Sequence, residues 1–278
     1  MSDTKIFSNW MEYWQDVEPR LALYVNKRLN KDALEHLNCS LALYSFTTEN
    51  WISKIKKNNE TSLILSIFLI QVQDILRGLV SEYRNQTLTP IALMVRTVFE
   101  IKANLMYMIK SPEAISLIDK FDRFKNLEKF LGKKGSVFFD NPTDQEAQEV
   151  MAKCNEWFIG GKLIDSQPHW SAKKGINLRK ICEASHVNLL NEYISTYKLN
   201  SKFTHGSPII NNMYSNQSIP LHVHTMHLAF LGAGDCMKVL HLLCEFFGVD
   251  FPDLDYAHIC GFAIKATGGV PPDPRDFK

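Results

Sequence analysis

The chain has 278 residues, 45% of them apolar, which supplies a large core and excludes a disordered polypeptide. Its 31 Lys and Arg nearly balance 30 Asp and Glu, so the formal net charge of +1 excludes a strong basic field and an acidic tail. Six cysteines without a Cys-x-x-Cys pair exclude a disulfide framework or a zinc knuckle and read as buried thiols in a reducing compartment.

The N-terminus, MSDTKIFSNWMEYW, has no signal-peptide core, and the longest apolar run, Leu63 to Ile70, is too short to span a bilayer. The expectation is a soluble, cytoplasmic protein with no membrane partner. Residues 5–29 place Trp10, Trp14, Val17, Leu21 and Val25 at helical spacing, with Pro19 splitting them into two short helices. A second stretch to about Lys57 turns Leu34, Leu37, Leu41, Tyr44, Trp51 and Ile55 inward.

Ser62 to about Arg84 is a strongly apolar helix. The stretch TPIALMVRTVFEIKANLMYMIK comes next, with Thr89 as expected N-cap and Pro90 at the first helical position. Met94, Val98, Ile101 and Leu105 fill one side of it; Val95, Phe99, Met106 and Ile109 fill another. A helix apolar nearly all round belongs in the middle of a fold. The two form an antiparallel pair at the centre of a bundle. One stripe of the second helix carries Arg96 and Glu100, a pair that is costly to bury without partners.

After Pro112, Ile115, Ile118, Phe121, Phe124, Leu127 and Leu131 define an outer helix whose other face is charged. Gly132 to Pro142 is a loop, 143–159 a second charged helix, and Gly160 to Gly175 a long loop of the kind that often carries function. Residues 176–185 make a short helix, and Val187 to His205 a longer one stopped by Gly206 and Pro208. Another loop separates it from Pro220, which opens a helix to about Phe247 in which Gly232 and Gly234 read as close packing. A last short helix starts at Pro252, and the tail 267–278 is expected to be flexible. The reading is all-α: N-terminal helices over 1–58 packing on a single bundle-like core domain, 59–266, with two long loops.

Leu190, Ile194, Tyr197, Ser201 and His205 fall within about 80° on a helical wheel. Leu190 and Ile194 are core types, so Ser201 and His205 are expected to point inward. Buried polar groups need partners, and the cheapest arrangement has this face meet Arg96 and Glu100. Glu100 would then orient His205 beside the Arg96 guanidinium, an acid–base group next to an anion clamp. Arg96, Glu100, Ser201 and His205 are the candidate catalytic set. The other reading is a satisfied network that holds two helices in register. His222, His224 and His227 cluster after Pro220, and Asp235 is more than two turns further on. These histidines read as a polar helix start, with no metal and no cofactor implied.

RTVFEIKANLMYMI, HWSAKKGINLRKICEA and NEYISTYKLNSKFTHGS together resemble the domain-of-unknown-function 5677 family over roughly residues 60–245. That family shows an Arg-x3-Glu helix, a Trp-Ser loop, and a Tyr-rich helix ending in Ser-x3-His-Gly. Arg96, Glu100, Trp170, Ser171, Tyr193, Tyr197, Ser201, His205 and Gly206 stand at the matching positions. A looser similarity is to HEPN helical domains, many of them metal-independent ribonucleases with an Arg a few residues ahead of the His. This resemblance implies RNA cleavage or nucleotide binding of toxin or phage-defence type. Trp170, Tyr197, Lys198 and Lys202 are then the substrate-binding candidates, RNA or a nucleotide the partner, and a homodimer a further expectation. The chain departs from that pattern, because Lys198, Leu199 and Asn200 occupy the slots where the Arg would stand.

Overall fold

The computed structural model describes residues 60–133, 142–204 and 221–248, with part of the stretch 33–48. The helices expected over 5–29, the one after Pro252, the tail 267–278 and most of the loop 132–142 lie outside the described residues. Within 33–48 the described residues are helical, and Leu37 and Tyr44 are fully buried. The Tyr44 hydroxyl donates to Leu69 O at 3.1 Å, which ties this stretch to the next helix.

Helix α1 (Glu60–Asn85) and helix α2 (Leu88–Ile109) are joined by Gln86 and Thr87. Thr87, not Thr89, is the N-cap of α2, and its hydroxyl bonds Glu82 instead of a helix amide. Thr89 and Pro90 therefore sit inside the first turn. Proline is tolerated there because the first-turn amides have no intrahelical acceptor. The chain continues with α3 (Ala114–Lys133) and α4 (Asp144–Lys153), which starts at a Thr143/Glu146 capping box.

The helix expected to reach residue 159 stops at Lys153. A 3-10 turn (Asn155–Trp157) leads into a two-residue hairpin, β1 (Phe158–Ile159) antiparallel to β2 (Lys162–Leu163). Gly160 and Gly161 both have positive φ, the turn a tight hairpin demands. Then come α5 (Leu178–Glu183), α6 (Leu190–Glu192), a π-helical turn (Tyr193–Tyr197), α7 (Lys198–Thr204) and α8 (Leu221–Phe247). Among the described residues the architecture is all-α apart from that hairpin.

Helices α1, α2 and α8 pack on one another and enclose the main core. Val95, Val98, Phe99 and Leu105 of α2 are fully buried. Ile115, expected inward on α3, is 64% exposed, while Leu117, Ile118 and Leu127 are buried. Gly232 brings α8 close enough that a Cβ there would lie 2.8 Å from Leu79 Cδ1. Around Gly234 there is open space, so only the first of the two glycines serves close packing. By length and composition, Leu63–Asn85 and His222–Phe247 are apolar enough to cross a membrane. Counting the consecutive run Leu63 to Ile70 misses this, because polar residues interrupt both helices without lowering their mean hydropathy below that range. In the fold, 72% of the apolar window in α8 is buried against protein, which accounts for its composition as a core helix.

Inside this apolar centre sits a charge. Lys102, on the buried side of α2, is 0% exposed. Its Nζ lies 2.6 Å from Asp235 Oδ1 on α8 and 2.5 Å from Glu192 Oε2 at the end of α6. The Asp235 side chain is 5% exposed and that of Glu192 41%. Burial acts against the ammonium, but the Asp235 and Glu192 carboxylates outweigh it and hold the Lys102 pKa above the usual lysine range. One cation therefore joins three elements. Replacing Lys102 by Met strands a buried carboxylate, and the cost is expected to be about 3–5 kcal/mol in urea unfolding. The double replacement Lys102→Met with Asp235→Leu should recover most of that loss, since Glu192 can return to solvent. A double mutant no more stable than Lys102→Met would show that Asp235 is not the partner that matters.

Candidate functional site

Arg96 and Glu100 lie one turn apart on α2, with Arg96 Nη2 3.3 Å from Glu100 Oε1. Their side chains are 27% and 38% exposed, so the pair expected to be buried lies at the edge of the core. The partner that meets them is Tyr197, at the end of the π turn. Its hydroxyl accepts from Arg96 Nη2 at 3.0 Å and donates to Glu100 Oε1 at 2.7 Å. The guanidinium carbon also lies 5.1 Å from the Tyr197 ring centroid. Burial raises the Tyr197 pKa, and hydrogen bonding to Glu100 adds to it, so the phenol stays protonated and works as a donor. Tyr193 stacks on Tyr197 with centroids 5.2 Å apart, and Phe99 packs on it from α2.

Ser201 does not join this group. Its hydroxyl donates to the Tyr197 carbonyl one turn back, at 2.8 Å. His205 and Gly206 lie outside the described residues. Lys198 and Lys202 are exposed on α7. Ile194, expected inward, is 52% exposed, and the buried residues are Thr196, Asn200 and Phe203. The starting residue of the wheel is the cause: Leu190 is only half-buried, and the buried residue is Leu189. The Lys198 amide bonds Tyr193 O, one residue further back than in an α-helix. Even across this turn, a uniform wheel counted from Leu189 puts Thr196, Asn200 and Phe203 within about 40° of it, which is the buried face.

Trp170 is 6% exposed and donates its indole N–H to Asn104 Oδ1 at 3.0 Å. Its ring meets Tyr107 and Phe121 edge-on, so it packs against protein. Asn104 in turn donates to the Glu100 carbonyl at 2.9 Å, so the Trp-Ser loop and the Arg96/Glu100 pair are anchored to consecutive turns of α2. The long loop is held from within. Trp157 Nε1 donates to His169 O at 2.7 Å, and Asp165 accepts from the Gly175 amide at 3.0 Å. His169 Nδ1 lies 2.9 Å from Ser171 Oγ, and Ser171 is 1% exposed.

A second polar feature lies on the buried face of this segment. Asn200 is 0% exposed, and neither its amide nitrogen nor its amide oxygen has a hydrogen-bond partner. It lines a cleft of about 540 Å³ between the π turn, α7 and the first turns of α8. His224 and His227 line the same cleft, and burial and then the neighbouring His227 lower the His224 pKa. Among the described residues, no three His, Cys, Asp or Glu side chains lie close enough to share a metal ion. The sequence signal for Lys102 was readable: it stands seven residues after Val95 on an apolar face, and Asp235 is the sole carboxylate between Leu221 and Cys244. Asn200 falls on the buried face of a wheel counted from Leu189, and off it when the count starts at the half-buried Leu190.

A family model described as a family of unknown function (DUF5677) matches residues 62–218. No curated protein and no solved structure matches the chain.

Burial lowers the His169 pKa to about 4, against an unfolded value near 6.5. Between those two values the unfolded chain binds a proton that the folded chain does not. Stability from this group is therefore complete above about pH 6.5 and falls as pH drops toward 4, by up to ~3 kcal/mol. His224 shares part of that window, so the measurement is a difference. His169→Asn should flatten the urea stability profile between pH 4 and 6.5 relative to wild type. Parallel profiles would place the neutral imidazole elsewhere.

Proposed function

The chain belongs to the DUF5677 family of unknown function, and on that footing we propose that it is a non-enzymatic helical interaction module whose Arg96/Tyr197/Glu100 network is structural. The observation that carries this reading is the Tyr197 hydroxyl, which uses its donor on Glu100 and accepts from Arg96. A catalytic clamp or base must be free to engage substrate. Here the phenol is committed to the two charges, and Ser201 is committed to the backbone. The network lies where α2 meets the π turn, and its work is to hold that irregular turn on the core. A fully partnered group contributes about 1 kcal/mol per hydrogen bond and fixes geometry more than it adds stability.

HEPN-like RNA cleavage or nucleotide binding is the second reading. What favours it is that Arg96 stays 27% exposed, while Lys198, next in the chain to its partner Tyr197, is exposed as well. That arrangement suits a phosphate backbone.

Three proteins separate the readings: wild type, Tyr197→Phe and Arg96→Met. Each is melted, then incubated with a mixed RNA pool in EDTA. The structural reading expects intact RNA throughout and variants that melt lower, by about 2–4 °C for a loss near 1 kcal/mol. Cleavage by wild type that disappears in Arg96→Met at unchanged melting temperature would move the assignment to the second reading.

A further inference from the structure

We infer that the cleft beside the π turn is a binding site for a small, uncharged, largely apolar ligand that presents an amide-type edge to Asn200. The inference stands apart from the interaction-module reading, because it uses the opposite side of the same helical segment.

Two independent observations meet at this place. The first is the cleft, whose volume of about 540 Å³ is in the range of small-molecule sites. Its interior is apolar, with Phe203, Met226 and Leu228 all buried, and Ser195, Leu199 and His227 are exposed and form its rim. The second is Asn200, fully buried on that wall with both halves of its amide unpartnered. A buried carboxamide without partners costs about 1–3 kcal/mol, and leucine of nearly the same shape would avoid that cost. Thr196 stands one turn before it on the same buried face and lines the cleft too.

The wall dictates the chemistry of the ligand. An asparagine amide offers one donor beside one acceptor, so its complement is an acceptor beside a donor: a primary carboxamide or a lactam edge. Among the described residues no Lys, Arg, Asp or Glu lines the cleft, and this lining favours an uncharged ligand. Phe203, Met226 and Leu228 suit a hydrocarbon or aryl body attached to the amide, with methionine able to adapt to its shape.

Met226 also supplies the reporter. Protein labelled at its methionine methyl groups is titrated with benzamide, whose carbonyl and syn N–H share one edge, and separately with methyl benzoate, its ester analogue. The ester keeps the carbonyl acceptor and lacks the N–H donor. Benzamide should move the Met226 methyl signal saturably, and the ester should bind at least about five-fold more weakly, the value of one lost hydrogen bond. That preference should vanish in Asn200→Leu, which should melt no lower than wild type without either compound. Absence of a saturable shift at Met226, or equal binding of the two compounds to wild type, overturns the proposal without recourse to any variant. An Asn200→Leu protein that melts lower than wild type, or does not fold, overturns it as well, since the amide is then already partnered within the chain.

Discussion

The ion triad of Lys102, Asp235 and Glu192 is the constraint on which the remaining geometry depends. An ammonium with no solvent exposure cannot stand alone in an apolar core, so α2 and α8 can pack only in the register that brings Asp235 to it. The same cation reaches Glu192, the last residue before the π turn, and so fixes where that turn begins. Lys238, one turn beyond Asp235 on α8, lies 3.8 Å from the other Glu192 oxygen and offsets the second carboxylate. Apolar contacts alone would let two such helices slide by a turn with little penalty. A buried ion pair makes every other register expensive. Its contribution is therefore to specificity, and the apolar burial around it supplies most of the stability.

From Glu192 onward the chain does two things with one segment. Tyr193 and Tyr197 lie against α2, where Tyr197 finds Arg96 and Glu100. Thr196 and Asn200 turn toward α8 and the cleft. A regular helix presents one stripe to the core. This segment lies against α2 on one side and lines the cleft with α8 on the other, so it presents two, one aromatic and satisfied, the other amide-bearing and unsatisfied. That difference in hydrogen bonding is the reason to assign the first stripe to structure and the second to ligand.

Legibility in the sequence divides along the same line. Wherever the chain runs as regular α-helix, as in α1, α2 and α8, periodicity gave the element and its burial, because composition and a 3.6-residue repeat carry the information. The charged partners inside those helices were also readable, since a lone Lys and a lone Asp in apolar stretches must find each other. Arg96 and Glu100 were correctly singled out as a pair, but periodicity could not show that Tyr197 would cap them at the edge of the core. The hairpin at Gly160 and Gly161 and the π turn were illegible for a different reason. Both depend on backbone hydrogen-bond choices that tertiary packing makes, and a helical wheel assumes those choices in advance.

That limit bears directly on the candidate site. A wheel also assumes its starting residue: counted from Leu190, which is only half-buried, it turns Ser201 inward, whereas the buried residue is Leu189. Counted from Leu189, the polar residue delivered to the interior is Asn200, three elements meet around it, and both halves of its amide are left unmatched. Lys102 sets charge against charge and a phenol bridges Arg96 and Glu100, while Asn200 differs from both in that neither half of its amide is partnered. An orphaned amide in such a fold, lining an apolar cleft, is more economically explained by a partner from outside the chain than by a packing error, because a single change to leucine would have removed the cost.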